Sequence, residues 1–122
     1  MPNRSITTQE LDLLTFFEVE PTRVNPDVPW PYSELLYTVK RGDFDISFAI
    51  SPAYRDIHLV VKRGGDTLYE LNALGIDDVR YRKDSSGETL ELALTARDSL
   101  FLRLVPEVSL RQDVSDELAE RA

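Results

Sequence analysis

The chain has 122 residues, no cysteine and a formal net charge of −8. That length suits one domain with its own core, and the missing thiols exclude disulfides, thiolate metal sites and a cysteine nucleophile. So large a carboxylate surplus disfavours broad nucleic-acid or anionic-membrane binding, and serves either solubility or a basic partner. The first nine residues lack the apolar core of a secretory signal, and no segment approaches the roughly 20 apolar residues that span a bilayer. The expectation is a soluble, cytoplasmic protein.

Ile6-Thr7-Thr8-Gln9-Glu10-Leu11 reads as a helix start. Thr7 is placed to cap the Glu10 amide while the Glu10 side chain reaches back, with Ile6 and Leu11 as a hydrophobic staple. The helix should end by Glu18–Glu20, ahead of Pro21. Leu11, Leu13, Leu14, Phe16 and Phe17 form a broad apolar stripe that needs a sheet to lie on. Residues 21–31 hold four prolines in eleven positions, which predicts a stiff, unpaired connector. Trp30, the only tryptophan, either plugs one end of the core or, with Tyr32, serves as an aromatic anchor for a partner.

From Ser33 onward the pattern is short strands punctuated by turns. Leu35, Tyr37 and Val39 mark the first strand. Phe44, Ile46, Phe48 and Ile50 alternate with polar or small residues, and Ile57, Leu59 and Val61 repeat the pattern after a turn, predicting a central hairpin. Residues 67–74 form a further strand whose facing is ambiguous, because Leu68 and Leu71 are both apolar. Val79 and Tyr81, then Leu90, Leu92 and Leu94, then Leu100, Leu102 and Leu104 continue the series, and Val108 and Leu110 suggest an edge. Connections this short force antiparallel neighbours. The predicted fold class is α+β: an N-terminal amphipathic helix packed on a strongly twisted antiparallel meander of six or seven strands, able to curl into a half-barrel. Residues 1–110 form the single domain and 111–122 a polar tail, helical or frayed.

A meander places alternate turns at one end of its sheet. Lys40-Arg41-Gly42-Asp43, Lys62-Arg63-Gly64-Gly65-Asp66 and the turn opening with Arg82 and Lys83 would then line up as a basic rim. That rim is either an anion site or a set of charges paired with neighbouring aspartates against edge-to-edge aggregation. Arg41-Gly42-Asp43 spells an integrin-ligand tripeptide, but a hairpin needs Gly and Asp there anyway.

Little in the chain suggests chemistry. His58, the sole histidine, shares a strand face with Asp56, a pair that could orient an imidazole for acid–base work, with Ser47 on the next strand. No nucleophile elbow or glycine-rich oxyanion loop accompanies them, and further nitrogen or sulfur ligands for zinc are lacking. Asp77, Asp78, Asp84 and Glu88 do not have the spacing of a calcium loop. No catalytic residue, metal or cofactor is expected.

Tyr54, Arg55, Trp30 and Tyr32 belong instead to the residue types that carry binding energy at interfaces. Asp43, Asp45, Asp56, Asp77 and Asp78 supply acidic surface, with His58 on the same hairpin face. In general character the chain is similar to the small acidic immunity proteins that block bacterial toxins, a likeness of size and charge rather than of motif. That resemblance implies a protein-binding module whose acidic face occupies a basic cleft on its partner. The competing expectations are a ligand-binding or catalytic half-barrel with a pocket near His58, and a homodimeric structural subunit.

Overall fold

The computed structural model describes residues 6–114. Helix α1 spans Glu10–Phe17, and the rest is antiparallel sheet: β1 (Thr22–Arg23), β2 (Leu35–Arg41), β3 (Phe44–Ser51), β4 (Asp56–Arg63), β5 (Asp66–Ala73), β6 (Asp78–Asp84), β7 (Gly87–Thr95), β8 (Asp98–Arg103) and β9 (Ser109–Val114). The α+β class and the sequential meander stand. Among the described residues the strands number nine, however, and form two sheets, β1 to β5 and β6 to β9, each in chain order.

The division falls at Leu74-Gly75-Ile76-Asp77. The expected hairpin turn there is a corner instead. Gly75 adopts φ +61°, and the Ile76 amide donates to the Arg55 carbonyl at 2.9 Å. The next amide, Asp77, donates to the Ala93 carbonyl at 2.9 Å. One residue is thus bonded to the first sheet and the next to the second. Ile76 itself is buried, which anchors the corner in the core.

The inward faces follow the predicted alternation. Leu35, Tyr37 and Val39, Ile46, Phe48 and Ile50, and Ile57, Leu59 and Val61 are all buried, as are Val79, Leu90, Leu92, Leu100, Leu102 and Leu104. The ambiguity in β5 has a cause: the register shifts between Val61 and Lys62, so Leu68 is an extra bulged residue, while Tyr69 and Leu71 keep the inward side. A similar shift in β7 leaves Leu94 without a register partner on β8, though it still packs against the core. β9 extends to Val114, so residues 111–114 complete a strand where a tail was expected; backbone pairing with β8 through Asp98↔Val114 overrides their polar composition. Residues 115–122 lie outside the described residues.

Helix α1 starts later than its sequence suggests. Gln9 is the N-cap, and its amide donates to the Asp12 carboxylate at 2.8 Å. Thr7 is drawn away by Asp78: its amide and hydroxyl donate to the two carboxylate oxygens at 2.7 and 2.5 Å, and the Thr8 amide donates to the Val79 carbonyl at 2.9 Å. The helix ends at Phe17, with Glu18 left-handed at φ 61°. Its buried stripe is the narrower set Leu13, Phe16 and Phe17, while Leu11 points to solvent and no staple with Ile6 forms. Phe17 stacks on Tyr37 and Phe48 of the first sheet at 5.0 and 5.5 Å, and Phe16 meets Tyr81 of the second edge-on at 6.4 Å. The helix therefore joins the two sheets into one core.

The proline-rich connector also departs from expectation. Thr22 and Arg23 retain free amides between Pro21 and Pro26 and pair with Leu36 and Leu35, and Arg23 forms an ion pair with Glu10. Trp30–Tyr32 is a turn of 3-10 helix, closed by Ser33, whose hydroxyl donates to the Val28 carbonyl at 2.8 Å.

Candidate functional site

The central hairpin of β3 and β4 carries most of the expected contact residues, and its outer face is built by register. Ala49 stands opposite His58, Ser47 opposite Val60, and Asp45 opposite Lys62. His58 does not engage Asp56. Its Nε2 lies 2.8 Å from the Glu70 carboxylate on β5, a cross-strand partner that linear spacing could not reveal. Asp56 is instead spent on the corner, accepting the Gly75 amide at 2.9 Å. Directly across from His58 stands Ala49, with Ser51 in the wall of the same depression. Among the described residues no group of three or more His, Asp or Glu side chains could hold a metal ion.

An open depression of about 220 Å³ lies at this end of the sheet, lined in part by Glu34, Asp56, His58 and Asn72. Tyr54 is not in its wall. The interior between the sheets is filled by the shared apolar cluster. The depression can seat a side chain of a partner.

The anchors differ in exposure. Trp30 packs partly buried against the core, whereas Tyr32 is 70% exposed and Tyr54 74% exposed. Tyr54 precedes Arg55, which holds φ 57°, a conformation that costs a non-glycine residue about 1–2 kcal/mol. The Arg55 and Asp56 contacts to Ile76 and Gly75 hold that turn in place, so Tyr54 is displayed on a braced loop with exposed Leu74 on the adjoining segment.

The acidic residues fall into two groups. Asp43 and Asp45 are exposed or half-exposed and face Arg63 at 3.7 Å and Lys40 at 3.6 Å. Asp78 is committed to the fold. Its partial burial would raise its pKa, but hydrogen bonds from the Thr7 hydroxyl and amide and the Val79 amide, with Arg80 alongside, hold it below the usual carboxylate value. The Asp77 amide serves the corner.

The basic rim divides with the sheets. The turns opening with Lys40 and Lys62 share an end, because Phe44 pairs with both Arg41 and Arg63. There the cations face carboxylates, Arg41 also capping the Phe17 carbonyl at 3.0 Å and approaching Glu18 at 3.7 Å. The turn after Arg82 and Lys83 belongs to the other sheet. Arg82 lies 2.7 Å from Glu91, a buried carboxylate that Arg80 and Ser99 also bind. Neither Glu91 nor the neighbouring arginines Arg103 and Arg111 stand out in the sequence; only a strand register could have aligned them.

No protein-family model and no curated protein sequence matches the chain. Its fold is similar to that of one chain of a contact-dependent growth inhibition toxin–immunity protein complex from Klebsiella pneumoniae 342. The TM-score is 0.76 at 20% sequence identity, over 91% of this chain and 97% of that one. The likeness spans both chains almost end to end and is a likeness of fold.

Proposed function

We propose that this protein is an immunity-type module that binds and neutralises a protein toxin, and that it is not an enzyme. The observation that carries the reading is the near-complete fold likeness to a chain from a toxin–immunity complex. The site chemistry is compatible with it: the sole histidine is paired with a carboxylate and faces an alanine, so a binding role asks nothing that the hairpin lacks. The contact surface we favour is the outer face of β3 and β4 with the braced turn beside it. Tyr54 is the anchor, Tyr32 a flanking aromatic, and Asp43 and Asp45 supply charge toward a basic cleft, with Asp56 and His58 in the depression between. The place of action is then the compartment where the toxin would act, the cytoplasm.

The test is co-expression with the products of the reading frames on either side of this gene, one of which this reading expects to be a toxin. Growth should be rescued and a complex should co-purify. Tyr54→Ala should weaken that complex at least about tenfold, as loss of a central aromatic anchor does. Failure of the native chain to protect against or bind the neighbouring product would overturn the reading.

A further inference from the structure

The outer face of the second sheet sets Arg80, Arg82, Arg103 and Arg111 among the carboxylates Asp78, Asp84, Glu91 and Asp113. Strand register sets out two rows on it. Arg82 pairs with Thr89, and Arg103 pairs with Ser109; Arg80 pairs with Glu91, Glu91 with Phe101, and Phe101 with Arg111. A groove of about 460 Å³ lies over this face, and Arg82, Arg103, Arg111 and Phe101 are in its wall with a single carboxylate, Asp84. In the groove wall itself arginines outnumber carboxylates three to one, a local excess of positive charge on a chain of net charge −8.

The arginines are held in place without all being neutralised. Arg103 donates through Nε to the Thr89 hydroxyl and through Nη2 to the Ser86 hydroxyl, both at 2.9 Å, so these two contacts orient its guanidinium, with the Asp84 carboxylate near enough to feel its charge. The Arg111 guanidinium carbon lies 4.4 Å from the centre of the Phe101 ring, and Asp113 binds the group through Nη1. Arg82 is 60% exposed even with Glu91 beside it. Planar guanidinium groups fixed in this way match carboxylates in bidentate fashion.

We propose that this groove receives an acidic segment of a protein partner, with its carboxylates on Arg82, Arg103 and Arg111 and its aliphatic carbons against Phe101. The cations are spread over β6, β8 and β9. Three strand spacings separate the outer pair, Arg82 and Arg111, by roughly 14 Å, too far for donors that converge on one phosphate and suited to spaced side chains of an extended peptide. A long polyanion such as nucleic acid would be repelled by the acidic surface around the groove. The proposal does not depend on the toxin reading, since it concerns the opposite sheet and a partner feature of opposite sign.

The test is fluorescence anisotropy of a labelled oligoglutamate peptide titrated with the purified full chain at low salt. Saturable binding is expected. Arg103→Gln combined with Arg111→Gln should weaken it about tenfold or more, while Lys62→Gln, which removes a charge from the other sheet, should leave it within about twofold. Arg111→Gln alone, on the edge strand, should still cost about threefold and serves if the double variant fails to fold by circular dichroism. Three outcomes overturn the proposal: absence of saturable binding, equal loss in the Lys62 variant, or displacement of the peptide by inorganic phosphate or a single-stranded oligonucleotide at matched anionic charge. Failure of toxin neutralisation with intact peptide binding would reject the toxin reading and leave the groove standing.

Discussion

Asp78 shows how one side chain can decide an element boundary. Its two oxygens take the Thr7 amide and hydroxyl from 71 positions earlier in the chain, and this fixes the segment entering α1 against β6. Because the folded pKa is depressed, the stabilisation is present above the ordinary carboxylate value of 3.8 and is lost as pH falls through the folded value. Asp78→Asn should cost about 1–3 kcal/mol at neutral pH in urea titrations, the range for charged hydrogen bonds, and should flatten the loss of stability below about pH 4. An acid-denaturation profile unchanged in the variant would reject this role. Tyr37 makes the opposite case. Burial pushes its hydroxyl up to about 12, and that hydroxyl has no hydrogen-bond partner among the described residues. Tyr37→Phe should therefore leave stability unchanged or raise it by up to about 1 kcal/mol, read from the urea midpoint.

At the scale of the element, α1 is short for an independent helix, and its stability comes from what it packs on. Phe17 is wholly buried and stacks on both Tyr37 and Phe48, so Phe17→Ala empties the contact between helix and first sheet. The expected loss is about 3–5 kcal/mol, a large share of a small domain's total, visible as a lowered urea midpoint. The alternating faces of β2, β3 and β4 were legible in the sequence because a strand buried on one side has a strict period of two. The β5 bulge was not, since an extra residue breaks that period just where the pattern is being read. The Thr7 cap was misplaced for a different reason: a local capping box competes with a carboxylate that only the folded chain brings near. Arg82, Arg103 and Arg111 stayed unrelated in the sequence because they lie on three different strands and only the register aligns them.

At the scale of the whole molecule, a net charge of −8 acts on encounter more than on contact. Association with a basic toxin should slow about tenfold or more between roughly 0.05 and 0.5 M salt while dissociation changes little, because screening shortens the reach of charge to a few Å. Stopped-flow mixing at graded ionic strength would measure it, and a salt-independent on-rate would show that the acidic surplus serves solubility alone. The oligoglutamate groove should respond to salt as well, but through Arg103 and Arg111 and not through Asp43 and Asp45. The two faces are thus separable by mutation.

What the amino-acid order determined by itself was the class of fold and its inward faces. Hydrophobic period and turn residues are local properties, and the central hairpin expresses both. Its outward side, the break of the meander into two sheets, the pairing of His58 with Glu70 and the row of arginines were decided only by tertiary structure. Each depends on hydrogen bonds or register between distant residues, which carry no mark in linear spacing. The same hairpin is therefore predictable as the centre of the core and unpredictable as a surface, where its neighbours across the sheet choose which groups are bound and which are left to meet a partner.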